Sequence, residues 1–264
     1  MYSFNIILTE RCNAKCSHCY MRNDTFPKLT LSKNQVDLII NKLPKNTKRI
    51  ILTGGEIFLE KDLLMYSINK IKKVNSDIEI DLESNGIYFY KSDNPLKLLK
   101  ELEKSGISSI RFSDDPFHKS GGVDLEKVRK IKEYQKYVKF QIKYLVQEKA
   151  FGIGQAKKLS NDRKNNANCM NHASTKNNPY FFLDVQGNVY LCAWKCIAPI
   201  GNMFVDDMNT IIERLKDEFN SLILVGKIEE AYALINKDKK EEYKNYTRCN
   251  GQCMLCAKLN EKRT

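Results

Sequence analysis

Residues 12–19 read CNAKCSHC, which places Cys12, Cys16 and Cys19 in a C-x3-C-x2-C array. Thiolates are soft ligands, suited to zinc, copper(I) or iron–sulfur clusters. Three is too few to close a structural zinc site, and an odd number does not make a disulfide framework. A cluster of four irons held by three thiolates keeps one iron without a protein ligand. An open metal position of this kind lets a small molecule bind the metal directly. The competing reading is a zinc loop with a fourth ligand such as His18, although zinc sites more often pair cysteines as C-x2-C.

Other short stretches carry reactive side chains. In TGGE, Gly54 and Gly55 allow close approach of a ligand to the backbone, and Glu56 can pair with an ammonium group. Taken alone, Gly-Gly is only a turn; beside a cysteine triad it becomes a candidate binding loop. Ser84-Asn85-Gly86 and Ser113-Asp114 can equally cap or turn the chain. In SDDPFH, Asp115 and His118 form a candidate acid–base pair near neutral pH. His172 stands in a polar stretch and is expected to be solvated. Six further cysteines are Cys169, Cys192, Cys196, Cys249, Cys253 and Cys256, the last three in a second C-x3-C-x2-C. Their spacing does not give the two C-x2-C knuckles of a zinc ribbon.

The elements that must position these residues alternate through the first 150 residues. Strands are predicted at 4–8, 49–53, 78–83, 108–113 and 138–146, with a sixth possible over 146–152. Helices are predicted over 31–43, 61–73, 94–106 and 124–136. Ser32 and Gln35 form a capping-box pattern, and Pro95 and Gly106 bracket the third helix. Strands separated by helices imply parallel pairing, and such sheets carry their sites at the C-terminal ends of strands. Cys12, Gly54, Ser84 and Asp114 all fall in such loops. Beyond about residue 160 the pattern changes to a polar stretch, a hairpin over 179–192 and an amphipathic helix over 208–219.

The chain has 264 residues, 42% hydrophobic and 29% charged, which suits a soluble globular protein. It has no apolar run long enough to span a bilayer and no signal peptide, so no membrane association and a cytoplasmic location are expected. Nine cysteines in that compartment point to metal rather than to disulfides. The net charge of +12 fits either an acidic partner or simply a solvated lysine surface. No RNP, KH or zinc-finger spacing is present, which argues against nucleic acid.

CNAKCSHCY resembles the C-x3-C-x-aromatic-C signature of the radical S-adenosylmethionine (SAM) enzymes. The resemblance implies that Cys12, Cys16 and Cys19 hold a catalytic [4Fe–4S] cluster whose fourth iron is chelated by S-adenosyl-L-methionine. One electron cleaves the sulfonium, and a 5′-deoxyadenosyl radical then abstracts a substrate hydrogen. It further implies that His18 lies against the adenine and that Gly54, Gly55 and Glu56 bind the methionyl amino group. Ser84, Asn85, Ser113 and Asp114 would meet the sulfonium region, carboxylate or ribose, and FGIGQA (151–156) would cradle the adenine. The implied fold is α/β: a partial (β/α)6 TIM-like barrel over 1–160, then a small cysteine-rich hairpin and helix domain over 161–264.

That second part, with Gly187-x4-Cys192, looks like a SPASM or twitch extension. By resemblance it carries one auxiliary [4Fe–4S] cluster on Cys169, Cys192, Cys253 and Cys256, with Cys249 and then Cys196 as substitutes. A spare cysteine, Cys196 or Cys249, is a candidate hydrogen-atom donor. The implied activity is modification of a ribosomally made peptide. The alternative is a twitch-type dehydrogenase of a small molecule such as an aminocyclitol. From another class comes a non-enzymatic zinc or redox-sensing protein. Implied partners are the peptide or small-molecule substrate and a reductase such as flavodoxin or ferredoxin. Because the triad begins at residue 12, a peptide-recognition domain is expected to be a separate protein or to be unnecessary.

Overall fold

The computed structural model describes residues 1–21, 27–148, 150, 154–159, 178–193, 195 and 197–235. Five parallel strands are formed by β1 (Tyr2–Thr9), β2 (Thr47–Gly54), β3 (Glu79–Ser84), β4 (Ser109–Ser113) and β5 (Gln141–Leu145). Between them run α1 (Lys33–Asn41), α2 (Lys61–Val74), α3 (Ile87–Tyr90), α4 (Pro95–Ser105), α5 (Pro116–Ser120) and α6 (Leu125–Lys130). A sixth parallel strand, β6 (Tyr180–Leu183), pairs with β1, and β7 (Asn188–Tyr190) and β8 (Gly201–Asn202) extend the sheet antiparallel. The order is β5-β4-β3-β2-β1-β6-β7-β8. Three helices follow: α7 (Met208–Glu213), α8 (Glu218–Leu224) and α9 (Ile228–Ile235). No helix among the described residues is long and apolar enough to cross a membrane.

Local chemistry explains most of the boundaries. Gln35 N donates to Ser32 Oγ at 3.2 Å, and Ser32 N donates to Gln35 Oε1 at 2.8 Å, so the capping box starts α1. Asn94 caps α4, Pro95 occupies its first turn, and Gly106 ends it in the left-handed region at φ +80°. Asp184 builds the β6–β7 hairpin. Its buried carboxylate accepts from Gln186 N, Asn188 N, Tyr190 Oη and Lys195 Nζ.

Three expectations shift. The helix predicted over 124–136 is α-helical only to Lys130 and continues as a 3-10 turn over Ile131–Tyr137. Gln135 there donates to Val138 and Phe140 carbonyls and accepts from Ile142 N, which ties this turn to β5. The helix predicted over 208–219 breaks, because Asp217 turns extended and caps α8 by accepting from Asn220 N at 3.0 Å. Residues 146–148 form no strand; the sixth parallel strand lies instead at the opposite side of the sheet, beside β1.

Strand alternation divides the sheet into two chemically different faces. Phe4, Ile6, Ile50, Leu52, Ile80, Leu82, Ile110, Phe112, Ile142 and Phe181 pack as a buried apolar layer that includes residues of α1, α2 and α4. The other face carries Asn5, Arg49, Asp81, Glu83, Ser109 and Arg111. Burying such groups is tolerable only when they are paired. Asp81, 3% exposed, accepts from Arg49 on one oxygen and from Ser109 Oγ at 2.6 Å on the other. Replacing Asp81 by Ala should lower stability by about 1–3 kcal/mol, the cost of stranding its donors, moderated because Arg49 can turn to water. A urea midpoint unchanged from wild type would refute this account.

Candidate functional site

The polar face opens into a cavity of about 390 Å³. All six parallel strands line it, through Asn5, Thr53, Glu83, Arg111, Leu145 and Tyr180 among others. Across its mouth lie Cys12, Cys16, His18, Cys19, Gly54, Gly55, Ser84, Asn85, Ser113 and His118. Residues far apart in the sequence are thus gathered where the strands end.

The cysteine loop is held by backbone packing on two sides. Gly55 N donates to Thr9 O and Glu56 N to Arg11 O, each at 2.8 Å. A Cβ on Gly54 would stand 2.4 Å from Thr9 O, and one on Gly55 would stand 2.3 Å from Arg11 O. The glycines are therefore needed for approach to the cysteine loop itself. On the other side, Lys15 N donates to Gly121 O at 2.9 Å, and a Cβ on Gly121 would meet Cys16 Sγ at 2.9 Å. Gln155 N donates to Cys19 O at 3.0 Å.

Glu56 is fully buried and engaged inside the protein. Its carboxylate accepts from Ser84 Oγ, from Asn85 N at 2.8 Å and from Phe58 N at 3.1 Å. Burial pushes its pKa up to about 7, against the opposing pull of these donors. Asn85 in turn donates to Asn13 Oδ1 at 2.8 Å and towards Cys12 Sγ at 3.7 Å. Glu56 therefore positions the Ser84–Asn85 turn, which positions the cysteines.

His18 stacks on Phe117 with centroids 4.8 Å apart, and meets His118 edge-on at 4.9 Å. Its buried Nδ1 has no hydrogen-bond partner, and burial, then the nearby His118, lower its pKa to about 4. Asp115 caps α5 and holds His118 Nδ1 at 2.7 Å. Burial alone would raise the Asp115 pKa, but the His118 hydrogen bond and charge outweigh it and hold it below the usual carboxylate range. Asp114 is paired with Arg129, whose Nε donates to Asp114 Oδ2 at 2.9 Å.

The thiols suit a cationic cluster. Burial, and then the neighbouring Cys12 and Cys19 charges, push Cys16 up to about 12; burial also raises Cys12. Three adjacent thiolates are stable there only when positive metal compensates them. A ligand atom from each of Cys16, His18 and His118 also lies within 4.8 Å of the others, a geometry open to a single metal ion. Tyr20 is raised by burial first, and then by the charges of Glu83, Cys19 and Cys192. Cys169, Cys196, Cys249, Cys253, Cys256 and His172 lie outside the described residues.

Sequence reading missed Gly121, Phe117, Thr53, Glu83 and Arg111. Gly121 carried only a turn signal. The strand residues were legible as the odd-numbered positions of β2, β3 and β4, once parity assigned the even ones to the apolar layer.

The family model of the Radical SAM superfamily matches residues 6–138. The GTP 3',8-cyclase of Lactiplantibacillus plantarum is 29% identical over 114 residues, 42% of this chain and 32% of the relative. A probable GTP 3',8-cyclase of Saccharolobus solfataricus is 31% identical over 120 residues, 45% of this chain and 38% of the relative. The chain thus spans only about a third of the length of these curated relatives. Among solved structures, anSMEcpe with bound AdoMet and Cp18Cys peptide superposes with a TM-score of 0.58 at 14% identity, covering 95% of this chain and 88% of that one. BtrN in complex with AdoMet and 2-DOIA gives 0.56 at 16% identity, covering 86% and 89%. These two likenesses establish the fold. The family match starts within the first strand, takes in the three-cysteine loop and runs past the fourth strand, and on that ground the chain belongs to the radical SAM superfamily.

Proposed function

We propose that this chain is a radical SAM enzyme that abstracts a hydrogen atom from a peptide substrate. The observation that carries the enzymatic reading is the convergence of Cys12, Cys16 and Cys19 on one cavity with the ends of the parallel strands. A [4Fe–4S] cluster bound there with S-adenosylmethionine supplies the electron and the hydrogen-abstracting radical. The chain's own residues do the rest. The three cysteines hold the metal, and Gly54, Gly55 and Gly121 fix their loop. Ser84, Asn85 and Ser113 line the cavity where a bound cofactor would extend. His18, kept neutral and seated on Phe117, offers a flat surface against a purine. Asp115 orients His118, leaving its Nε2 to take or give a proton at the cavity wall.

A peptide is favoured by the fold-wide likeness to anSMEcpe and by a cavity that continues from the cysteine loop down all six parallel strands. The second reading, a dehydrogenase of a small molecule, is favoured by the comparable likeness to BtrN. The matches to the two cyclase relatives cover only 32% and 38% of those proteins and do not carry a substrate assignment. Cys192 would join Cys169, Cys253 and Cys256, with Cys249 or Cys196 in reserve, around one auxiliary cluster. Cys196 or Cys249, whichever is left over, would serve as hydrogen-atom donor.

Iron and acid-labile sulfide per chain, after anaerobic reconstitution, test the metal assignment. About eight irons are expected in wild type and about four in a Cys12/Cys16/Cys19→Ala triple variant, which should release no 5′-deoxyadenosine from S-adenosylmethionine. Zinc without iron would overturn the radical reading. Stimulation of deoxyadenosine release by peptides, against sugars and aminocyclitols, separates the two substrate readings. Gly121→Ala should lose most of the iron of the first cluster while keeping its far-ultraviolet circular dichroism, because its new methyl group would press on Cys16. Full iron content in that variant would show that the loop accommodates the methyl.

A further inference from the structure

Two arginines project from the polar face of the sheet, and they differ in what they meet. Arg49 gives both its Nε and its Nη2 to Asp81. Arg111, one layer nearer the cysteines on β4, lines the cavity and is 19% exposed. Its Nε and Nη2 are buried and have no hydrogen-bond acceptor. Glu83 Oε1 lies 3.2 Å from Nη2 as a neighbouring charge, but no hydrogen bond is aligned between them. The other Glu83 oxygen is taken by Thr53 Oγ1 at 2.9 Å.

An unmatched pair of buried N–H groups is costly, and a purely structural arginine would be expected to look like Arg49. Nε and Nη2 form one edge of the guanidinium, and two parallel donors on an edge match the two oxygens of a carboxylate. Rotation of the terminal torsions would bring that edge to the cavity. The nearby Glu83 charge selects against more highly charged anions such as phosphate, and a single carboxylate charge is the better fit.

We infer that Arg111 is a substrate-binding residue that grips a carboxylate of the substrate inside the barrel. This rests on the reading of the cavity as the active site of a radical SAM enzyme. In a peptide the group would be an acidic side chain or the C-terminus. S-adenosylmethionine also carries a carboxylate, so the test must separate the two sources.

The full chain, reconstituted and saturated with S-adenosylmethionine, is titrated with triglycine and triglycine amide, and with succinate and succinamide, following thermal unfolding. The acids should raise the wild-type melting temperature and the amides should not. In Arg111→Gln the acids should act only at concentrations about tenfold higher or more, with Arg111→Lys between the two because it keeps the charge and loses the fork. Affinity for S-adenosylmethionine should change by less than about twofold. Equal action of acids and amides on wild type overturns the proposal, as does an unaltered response in both variants. A parallel loss of S-adenosylmethionine affinity overturns it too, by assigning Arg111 to the cofactor. If Arg111→Gln does not fold, Arg111→Lys and the acid–amide comparison still decide. Iron content and deoxyadenosine release, measured beforehand on the wild type, show separately whether the enzyme reading itself has failed.

Discussion

The carboxylate of Glu56 is the pin on which the site turns. It is wholly buried, and it is matched by donors from three places: Phe58 just after it, and Ser84 and Asn85 at the end of β3. Asn85 reaches from there to Asn13 and Cys12. The backbone of Glu56 meets Arg11 in the same loop. One buried acid therefore ties the ends of β1, β2 and β3 together. A carboxyl group suits this position because every group around it donates a hydrogen bond.

Around that pin, the parallel sheet serves two purposes at once. Its even-numbered residues in β1 to β5 build the apolar layer that holds the fold together. Among its odd-numbered residues, Asn5, Thr53, Glu83, Arg111, Ser113 and Leu145 line the cavity and set what can enter it. The purely structural part of the polar face is closed by Arg49, Asp81 and Ser109. The part nearer the cysteines is left open, with Arg111 and Glu83 beside each other and incompletely matched. Stability and recognition are thus stacked along the same strands, one layer apart.

The alternation of strands and helices, the capping box at Ser32 and the glycine stop at Gly106 were legible because each is encoded by neighbours in the sequence. So was the cysteine loop, whose spacing is its own signal. The resemblance implies that Glu56 binds the methionyl amino group; what the sequence does not show is that its oxygens also accept from Ser84, Asn85 and Phe58. Nothing local in TGGE reveals a carboxylate turned towards a strand end 28 residues on. The break at Asp217 was missed because its capping signal competes with an i,i+4 apolar spacing that is equally readable. Gly121 gave no sign of Cys16, since only the assembled structure brings them together. The placement of β6 beside β1, not beyond β5, is likewise a long-range choice.

That placement has a consequence for how the chain is made. β1 is flanked by β2 on one side and by β6, from residues 180–183, on the other. During synthesis the apolar strand Phe4–Leu8 waits on the order of 10–30 s for its second neighbour to emerge. Throughout that interval it presents an unpaired edge, the kind of surface that draws nascent chains into aggregates. Burial of this strand is thus a late, non-local event with a high loop-closure cost. Soluble yield should therefore depend on elongation speed and chaperone supply more than on the stability of the finished sheet.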